Sequence, residues 1–282
     1  VSPGANITYT LTVTNGSGCT DTETAAVTVN AIPTATIGGT TTICNGKSTA
    51  LNGGGGGTYA WSTTETTASI TVAPSANATY TLTVTNGSGC TDTETAAVTV
   101  NAIPTASISG TTTICNGKNT TLNGAGGGTY AWNTAETSAS ITVAPSANAT
   151  YTLSVTNGSG CTDTEAAAIT VNTTPTATIG GTTTICNGKS TTLNGGGGGT
   201  YAWSTGATSA DVSVSPSANT TYTLTVTNGS GCTDTETAAV TVNTTPTASI
   251  GGTTTICNGQ STTLNGGGGG TYAWSTGATS AD

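Results

Sequence analysis

The sequence predicts an all-β fold built from tandem modules with a period of 71 residues, and three observations lead to this prediction. Thr alternates with β-branched and other apolar residues in many short runs, which Gly, Asn and Pro separate. Landmark residues recur every 71 positions: Trp61, Trp132, Trp203 and Trp274, and likewise Pro33, Pro104, Pro175 and Pro246. The eight Cys residues follow the same spacing in two sets of four.

The repeat defines the predicted domain organisation. Boundaries placed before "IPTA" and "TPTA" give three complete modules at residues 32–102, 103–173 and 174–244. Residues 1–31 then match the back of a module, and residues 245–282 match the front. We expect the missing halves to come from outside these residues, either from more of a longer fibre or from separate subunits that complete each other head to tail by strand complementation.

Seven short strands are predicted in the module of residues 32–102. Turn residues separate them at close and regular spacing. In the sixth, Tyr80, Leu82 and Val84 point to one face and the Thr residues to the other, which is typical of a half-buried antiparallel strand. The "NGSG" segment after it predicts a tight turn. In order the strands are "TATI", "TTTI", "STALN", "TYAWS", "ASITV", "TYTLTVT" and "TETAAVTV".

Composition excludes several classes of function. The chain has 282 residues, three Lys and Arg residues together, no His and a net charge of −9. General acid–base catalysis therefore lacks its usual groups, and nucleic acid would find no basic patch, so we expect neither an enzyme nor a nucleic-acid-binding protein. No apolar run has the length of a membrane span, and the sequence contains no signal peptide, so secretion would depend on a segment outside it.

One segment imitates part of a phosphate-binding loop. "GGTTTICNGKST" at residues 38–49 contains Gly46, Lys47 and Ser48 in the order of that motif, but Thr41 occupies the place of its first Gly. In the later copies Asn119 replaces the hydroxyl residue and Gln260 replaces Lys. These losses predict a turn of the scaffold, with no nucleotide or other cofactor.

The segments "TYAW" and "ANATYTLTVTNGSG" resemble the immunoglobulin-like and polycystic-kidney-disease-like modules of large secreted bacterial surface proteins, which are adhesins or stalks. The resemblance covers the whole chain and implies immunoglobulin-like β-sandwiches, with "STALN" as strand B, "TYAW" as strand C and "TYTLTVT" as strand F. It also implies core positions for Trp61, Trp132, Trp203, Trp274, Tyr80, Leu51 and Leu82, with Tyr80 as a tyrosine-corner residue. The chain lacks the acidic "DG" turn that follows the Trp in the second family.

Three further features have a structural and a functional interpretation, and we favour the structural one for each. Asp92 and Glu94 supply too few ligands for calcium, so we predict a strand end and no metal. The five glycines at 53–57 predict a flexible or closely packed loop, with a ligand-binding loop as the alternative. Tyr59 and Trp61 share one strand face, which predicts a core side, with an exposed aromatic platform as the alternative.

The Cys residues predict a disulfide framework whose pairing is open at this point. In immunoglobulin domains the bridge joins strands B and F, but Leu51 and Leu82 take those positions here. Cys44 precedes Leu51 and Cys90 follows Leu82, which places the two Cys residues at opposite ends of a module, too far apart to bond. We therefore prefer bonds between neighbouring modules, with Cys44–Cys90 inside one module as the alternative.

The preferred arrangement accounts for all eight residues. It pairs Cys44 with Cys161 and Cys115 with Cys232. It sends Cys186 and Cys257 forward, and Cys19 and Cys90 backward, to modules beyond the 282 residues.

Two functions are compatible with these observations. A structural extracellular fibre or stalk at the cell surface would use near-identical modules for reach and strength, with copies of itself or further modules as partners. An adhesin would place a recognition surface for glycans in loops at the module ends or in another domain. The near identity of the loops favours the structural role, because a recognition site usually requires one module to differ.

Overall fold

The structure is a computed structural model that describes residues 1–282 and contains strands, turns and no helix. It therefore offers no long apolar helix that could cross a membrane. The prediction of an all-β fold is confirmed. Below, "repeat 1", "repeat 2" and "repeat 3" denote residues 32–102, 103–173 and 174–244, and these boundaries stay a prediction.

The strands follow the same order in every repeat. Before repeat 1 lie β1 (Ile7–Thr14) and β2 (Thr20–Val27). Repeat 1 contains β3 (Thr36–Gly39), β4 (Thr42–Cys44), β5 (Thr49–Gly54), β6 (Thr58–Trp61), β7 (Ser69–Val72), β8 (Ala78–Thr85) and β9 (Thr91–Asn101). Repeat 2 contains β10 (Ser107–Gly110), β11 (Thr113–Cys115), β12 (Thr120–Ala125), β13 (Thr129–Trp132), β14 (Ser140–Val143), β15 (Ala149–Thr156) and β16 (Thr162–Asn172).

The remaining strands lie in repeat 3 and in residues 245–282. Repeat 3 contains β17 (Thr178–Gly181), β18 (Thr184–Cys186), β19 (Thr191–Gly196), β20 (Thr200–Trp203), β21 (Asp211–Val214), β22 (Thr220–Thr227) and β23 (Thr233–Asn243). Residues 245–282 contain β24 (Ser249–Gly252) and β25 (Leu264–Gly267).

Cα packing divides the chain into two compact units. Unit 1 comprises Val1–Gly110, Thr121–Ile141 and Thr150–Ala167, and unit 2 comprises Thr111–Thr120, Thr142–Ala149 and Ala168–Asp282. Repeat 1 thus lies wholly in unit 1 and repeat 3 wholly in unit 2, whereas repeat 2 contributes segments to both.

In unit 1, repeat 1 forms an immunoglobulin-like sandwich of two sheets. One sheet has the order β3-β5-β7 and is antiparallel, and the other has the order β4-β9-β8-β6. Strand β4 runs parallel to β9, whereas the pairs β8–β9 and β6–β8 are antiparallel. This is the arrangement of strands A, B and E against A′, G, F and C in an immunoglobulin-like domain.

The core of repeat 1 lies between these two sheets. Leu51 from β5 and Leu82 from β8 have no exposed surface, and Trp61 from β6 is 4% exposed. The Trp61 indole Nε1 donates a hydrogen bond to the Thr67 carbonyl oxygen at 2.9 Å, so its polar edge is satisfied inside the fold. The half-buried Tyr59 and Tyr80 pack against the same cluster, and the tyrosine-corner role of Tyr80 stays a prediction.

The glycine run at residues 53–57 is closely packed at every position except Gly56, where an added Cβ atom would have no neighbour within 4 Å. Gly53 and Gly54 belong to β5, and a Cβ atom added at Gly53 would lie 2.7 Å from Leu82 Cδ2 and 3.1 Å from Trp61 Cζ2. A Cβ atom at Gly57 would lie 2.3 Å from the Thr85 carbonyl oxygen. Gly53 and Gly57 therefore let the indole and the neighbouring backbone approach closely, which agrees with the closely packed loop that we favour from the sequence.

In unit 2, repeat 3 has the same sandwich. Its sheets have the orders β17-β19-β21 and β18-β23-β22-β20. Leu193 and Leu224 are fully buried, and Trp203 is 4% exposed and donates its indole hydrogen bond to the Ser209 carbonyl oxygen.

In repeat 2, β10 pairs with β12, β13 pairs with β15, and β11 runs parallel to β16. Trp132 there is 4% exposed as well.

The two end segments contain only part of this architecture. Residues 1–31, which we call the head hairpin, form the antiparallel pair β1–β2. Residues 245–282, which we call the tail segment, form the antiparallel pair β24–β25. Trp274 in the tail segment is half-buried, unlike its three copies, because β8-type and β9-type strands that would cover it are absent there. The core position that the resemblance implies for Trp274 is thus not reached in this structure.

Strand boundaries differ from the predicted ones by about two residues. The first strand of repeat 1 is predicted at residues 34–37, but β3 spans Thr36–Gly39. The start is later because the Ala35 N–H donates to the Asp92 carboxylate at 2.8 Å instead of to a sheet neighbour. The end is later because Gly39 continues the strand at a φ of 126°, where a Cβ atom would meet the Ala50 carbonyl oxygen.

Candidate functional site

The candidate site lies where repeat 2 follows repeat 1 within unit 1, and its first component is the turn at Asn157–Cys161. Asn157 Oδ1 accepts hydrogen bonds from the N–H groups of Ser159 and Cys161, each at 3.0 Å. The Gly160 N–H donates to the Asn157 carbonyl oxygen, and Gly160 has a φ of 79°. Asn followed by Gly-Ser-Gly favours this turn because the side chain caps backbone donors and glycine tolerates positive φ.

The same Asn157 also holds the linker between the repeats. Its Nδ2 donates a hydrogen bond to the Ala102 carbonyl oxygen at 2.8 Å. Ala102 is the last residue of repeat 1, so one side chain both shapes the turn and fixes its position relative to the end of β9. A second link is made by Asp163, whose carboxylate accepts the Ala106 N–H at 2.8 Å.

The other component is the "CNGK" turn at Cys44–Lys47. The Lys47 N–H donates to the Cys44 carbonyl oxygen at 3.0 Å, and Gly46 has a φ of 75°. The Asn45 N–H donates to the Asn101 carbonyl oxygen at 2.8 Å. Because β4 pairs in parallel with the end of β9, Cys44 lies opposite Asn101 and therefore at the linker. The residues that imitate a phosphate loop are thus part of a structural turn that presents Cys44.

A disulfide joins these two components. Cys44 bonds to Cys161 with 5.7 Å between their Cα atoms, a distance well within the range for a disulfide. Cys161 is 1% exposed, and its Sγ lies 4.0 Å from the Asn101 carbonyl oxygen. This is the pair that the sequence analysis prefers, and the structure does not contain the alternative, because Cys90 is free.

Unit 2 contains a second copy of this joint. Cys115 bonds to Cys232 with 5.7 Å between their Cα atoms, and Cys232 has no exposed surface. Asn228 repeats the role of Asn157: its Oδ1 accepts the N–H of Cys232, and its Nδ2 donates to the Thr173 carbonyl oxygen at 2.7 Å. The Asn116 N–H donates to the Asn172 carbonyl oxygen at 2.8 Å.

Cys90 occupies the same kind of site without a partner. Its Sγ lies 3.9 Å from the Asn30 carbonyl oxygen, and Asn86 Nδ2 donates to the Ala31 carbonyl oxygen at 2.7 Å. These contacts match those of Cys161 and Asn157 one repeat later. Cys90 is half-buried and unbonded, and the other three free thiols are exposed at Cys19, Cys186 and Cys257.

The two disulfides enclose overlapping loops of the chain. Each bond joins residues 117 positions apart, and the segment from Cys115 to Cys161 belongs to both loops. In the chain-entropy account, closing a loop of this size removes about 5 kcal/mol of conformational freedom from the unfolded chain. Each disulfide connects two neighbouring repeats covalently.

Other candidate sites are occupied by structural contacts. The Asp92 carboxylate accepts a backbone N–H, as described above, and no group of three or more His, Cys, Asp or Glu residues is arranged to hold a metal ion. A shallow depression near the linker is lined by Asn45, Ser75, Ala76, Asn77, Val100 and Ala102.

Sequence reasoning located the Cys residues but missed the Asn residues beside them. Asn86, Asn157 and Asn228 stand in Asn-Gly-Ser segments, which suggest glycosylation sites or turns. The signal for a second role was their fixed place, four residues before each Cys of the second set. The hydrogen bond from the Asn side chain to a carbonyl oxygen of the linker could not be predicted from that spacing, because it depends on where the preceding repeat ends.

Comparisons with known proteins give likenesses of fold. No protein-family model matches the chain, and no curated protein matches it by sequence. Among solved structures, a Ca²⁺-stabilised adhesin with which an Antarctic bacterium binds ice shares 15% identity, with 85% of this chain and 82% of that chain covered and a TM-score of 0.34. Titin domains I67–I69 share 12% identity, with 76% and 100% covered and a TM-score of 0.38.

A third similar structure is the insect immune protein hemolin, at 12% identity, with 84% of this chain and 82% of that chain covered and a TM-score of 0.30. At such identities and TM-scores, none of these proteins transfers a ligand, a partner or a cellular role to this chain.

Proposed function

We propose that these residues form a structural segment of an extracellular fibre or stalk, in which disulfides between neighbouring repeats carry mechanical load. The observation that supports the proposal is the pair of overlapping disulfide loops, Cys44–Cys161 and Cys115–Cys232. A disulfide inside one domain would stabilise that domain alone, whereas a bond between successive domains limits how far the chain can be drawn out.

The effect on extension follows from the connectivity. Along the backbone, Cys44 and Cys232 are 188 residues apart. Through both disulfides, the covalent route uses only the 46 residues between Cys115 and Cys161. The difference of 142 residues corresponds to roughly 500 Å of fully extended chain. Pulling on the oxidised protein can never release that length, even when every sandwich has unfolded.

Single-molecule stretching of the full chain, held by peptide tags at its two termini, tests this proposal. We expect the fully unfolded length to increase by roughly 500 Å when the protein is reduced. The control is the Cys44→Ser/Cys115→Ser double variant, which is expected to reach the long extension without reductant. Equal lengths for oxidised and reduced wild type would contradict a load-bearing role for these bonds.

Glycan binding is the second candidate function. The observation that favours it is the shallow depression beside the linker, where Asn45, Ser75 and Asn77 supply polar groups suited to sugar hydroxyls. A glycan array probed with the full chain tests it, with Ser75→Trp as the blocking variant. Saturable binding that this variant removes would favour an adhesin, and an absence of binding would favour the structural role.

A further inference from the structure

The dipeptide Asn-Gly occurs at the same three places in every repeat, and in repeat 1 these are Asn45, Asn52 and Asn86. Asn is a chemically unstable residue. It is least stable before Gly, because no side chain on the following residue hinders attack of the backbone nitrogen on the Asn side-chain carbonyl. The three places have identical local chemistry, so any difference in their reactivity must come from the fold.

The attack places requirements on the surrounding structure. The side-chain amide must be free to turn toward the backbone, and the N–H of the following Gly must not be held in a hydrogen bond. The backbone between the two residues must also be able to change its dihedral angles. Each hydrogen bond that has to open first lowers the fraction of molecules in which the reaction can start.

The asparagines of the Asn-Gly-Ser turns fail the first requirement. Asn157 Oδ1 accepts the N–H groups of Ser159 and Cys161, and Asn157 Nδ2 donates to the Ala102 carbonyl oxygen. Both atoms of the amide are therefore engaged, and the attack would have to break three hydrogen bonds. The same three bonds are made by the equivalent residues Asn86 and Asn228.

The asparagines before the glycine runs fail the second requirement. Asn52 lies in β5, which pairs with β3 on one side and β7 on the other. The N–H of the following Gly53 donates to the Ala68 carbonyl oxygen at 2.7 Å, and Asn52 Oδ1 accepts the Ser69 hydroxyl at 2.8 Å. The same backbone bond follows the equivalent residues Asn123 and Asn194.

The asparagine of the "CNGK" turn meets every requirement. Asn45 is exposed, and neither its side chain nor the Gly46 N–H makes a hydrogen bond within the chain. Gly46 has a φ of 75°, and a Cβ atom added there would have no neighbour within 4 Å, so the turn has room to move. Exposure alone does not distinguish this site, because Asn52 is exposed as well.

We propose that the "CNGK" turns are sites of spontaneous deamidation and that the other two Asn-Gly positions of each repeat are protected by the fold. The sites are Asn45, Asn116 and Asn187. Gly117 and Gly188 have φ values of 80° and 79° and, like Gly46, have open space at the Cβ position.

The reaction needs only water and a base to accept a proton. The Gly46 backbone nitrogen gives its proton to the base and bonds to Asn45 Cγ, while the Cγ–Nδ2 bond breaks and Nδ2 leaves as ammonia. Water then opens the resulting cyclic imide. Attack at Cγ gives aspartate, and attack at the backbone carbonyl carbon gives isoaspartate, in which the main chain runs through the former side chain. Nothing is oxidised or reduced.

The modification changes the joint between repeats. Asn45 follows the bonded Cys44, and its own N–H donates to the Asn101 carbonyl oxygen at 2.8 Å. Either product adds a negative charge beside the disulfide, in a chain whose net charge is already −9. Isoaspartate also lengthens the turn that the Lys47 N–H closes on the Cys44 carbonyl oxygen. The joints of a long-lived protein would therefore gain charge and lose this turn geometry with age, while the disulfides persist.

Ageing of the full chain with its disulfides intact tests the proposal. After incubation in mildly alkaline buffer, peptide mapping by mass spectrometry measures conversion at each site, and enzymatic methylation identifies isoaspartate. We expect Asn45, Asn116 and Asn187 to convert at least about tenfold faster than the other Asn-Gly positions of the repeats, since those must first lose hydrogen bonds. The reduced chain in denaturant is the control, and there all nine positions of the three repeats are expected to convert at similar rates.

The contrary results are equally specific. Conversion of Asn52 or Asn157 as fast as that of Asn45 in the folded chain would overturn the proposal, and so would a folded chain in which the "CNGK" turns do not react. A pair of variants checks the structural cause. Asn45→Gln is expected to leave the urea midpoint of repeat 1 unchanged, because its side chain has no partner to lose. Asn86→Gln is expected to lower that midpoint, and a loss in Asn45→Gln of equal size would show that the Asn45 amide is held after all.

Discussion

The hairpins β1–β2 and β8–β9 have the same sequence over "TYTLTVT" and the same strand register, but they differ in burial. Leu82 has no exposed surface, whereas Leu11 is 64% exposed. The register is local, since the Asn-Gly-Ser-Gly turn and the alternation of side chains determine it. Burial is not local, because it requires the opposite sheet. The molecule thus separates what a hairpin specifies by itself from what the complete sandwich adds.

The largest expected effect comes from truncating the same residue type in the two hairpins. Leu82→Ala removes fully buried side-chain volume and is expected to lower the unfolding free energy of repeat 1 by about 2–5 kcal/mol. Leu11→Ala truncates a side chain that is 64% exposed, so it is expected to change the stability of the head hairpin by less than about 0.5 kcal/mol. Native-state hydrogen exchange of the amides in repeat 1 measures the first loss, and exchange of the amides in the head hairpin measures the second. Similar losses for the two variants would contradict the difference in burial between the two hairpins.

A second prediction tests the packing of the glycine run. Gly53→Ala would place a methyl group 2.7 Å from Leu82 Cδ2 and 3.1 Å from Trp61 Cζ2, so we expect a loss of about 1–3 kcal/mol in repeat 1. Gly87→Ala is the control, since a Cβ atom there has no neighbour within 4 Å. Trp fluorescence during denaturation by urea measures the shift. A Gly53→Ala variant with unchanged stability would contradict close packing at this position and would favour the alternative of a ligand-binding loop.

The third prediction compares two asparagines that form the same turn. Asn157 holds both its turn and the Ala102 carbonyl of the linker, whereas Asn15 Oδ1 accepts only the turn N–H groups of Ser17 and Cys19. Asn157→Ala is expected to cost about 1–3 kcal/mol and to speed reduction of the Cys44–Cys161 bond. Asn15→Ala is expected to affect only exchange of its own turn amides. An unchanged reduction rate in Asn157→Ala would contradict the role of this side chain in the joint.

The smallest expected effect is a stabilisation. Thr64 has a φ of 78°, which is unfavourable for a β-branched residue, and the equivalent position in repeat 3 is Gly206 with a φ of 85°. Thr64→Gly is expected to raise the stability of repeat 1 by about 0.5–1 kcal/mol, since relief of the strain exceeds the entropic cost of glycine. The reverse change, Gly206→Thr, is expected to lower the stability of repeat 3. A thermal shift of the same sign in both variants would refute this explanation.

Much of the fold could be predicted because its determinants are local. Alternation in β8 fixes which side chains face the core, and the exact period transfers each assignment from one repeat to the next. Prediction failed where a contact depends on chain distant in sequence. Trp274 is predicted to lie in a core, but its burial requires strands that residues 245–282 do not contain.

The joint between repeats was predictable in part. The positions of Cys44 and Cys161 indicated opposite module ends that meet in a tandem array, because strand length limits the distance a disulfide can cover. The bonds of Asn157 and Asp163 to the linker were not predictable, since they depend on how the chain leaves β9. The glycine run was also ambiguous, because the same letters describe a flexible loop and a strand that accommodates an indole.

Disulfide mapping of the oxidised protein without reduction tests the central claim most directly. Digestion at Asp and Glu residues separates the peptides that contain Cys44, Cys90 and Cys161, and mass spectrometry identifies which are joined. The structure predicts a peptide in which Cys44 is bonded to Cys161 and another in which Cys115 is bonded to Cys232. A peptide joining Cys44 to Cys90 would contradict the connection between repeats and, with it, the proposed load-bearing role.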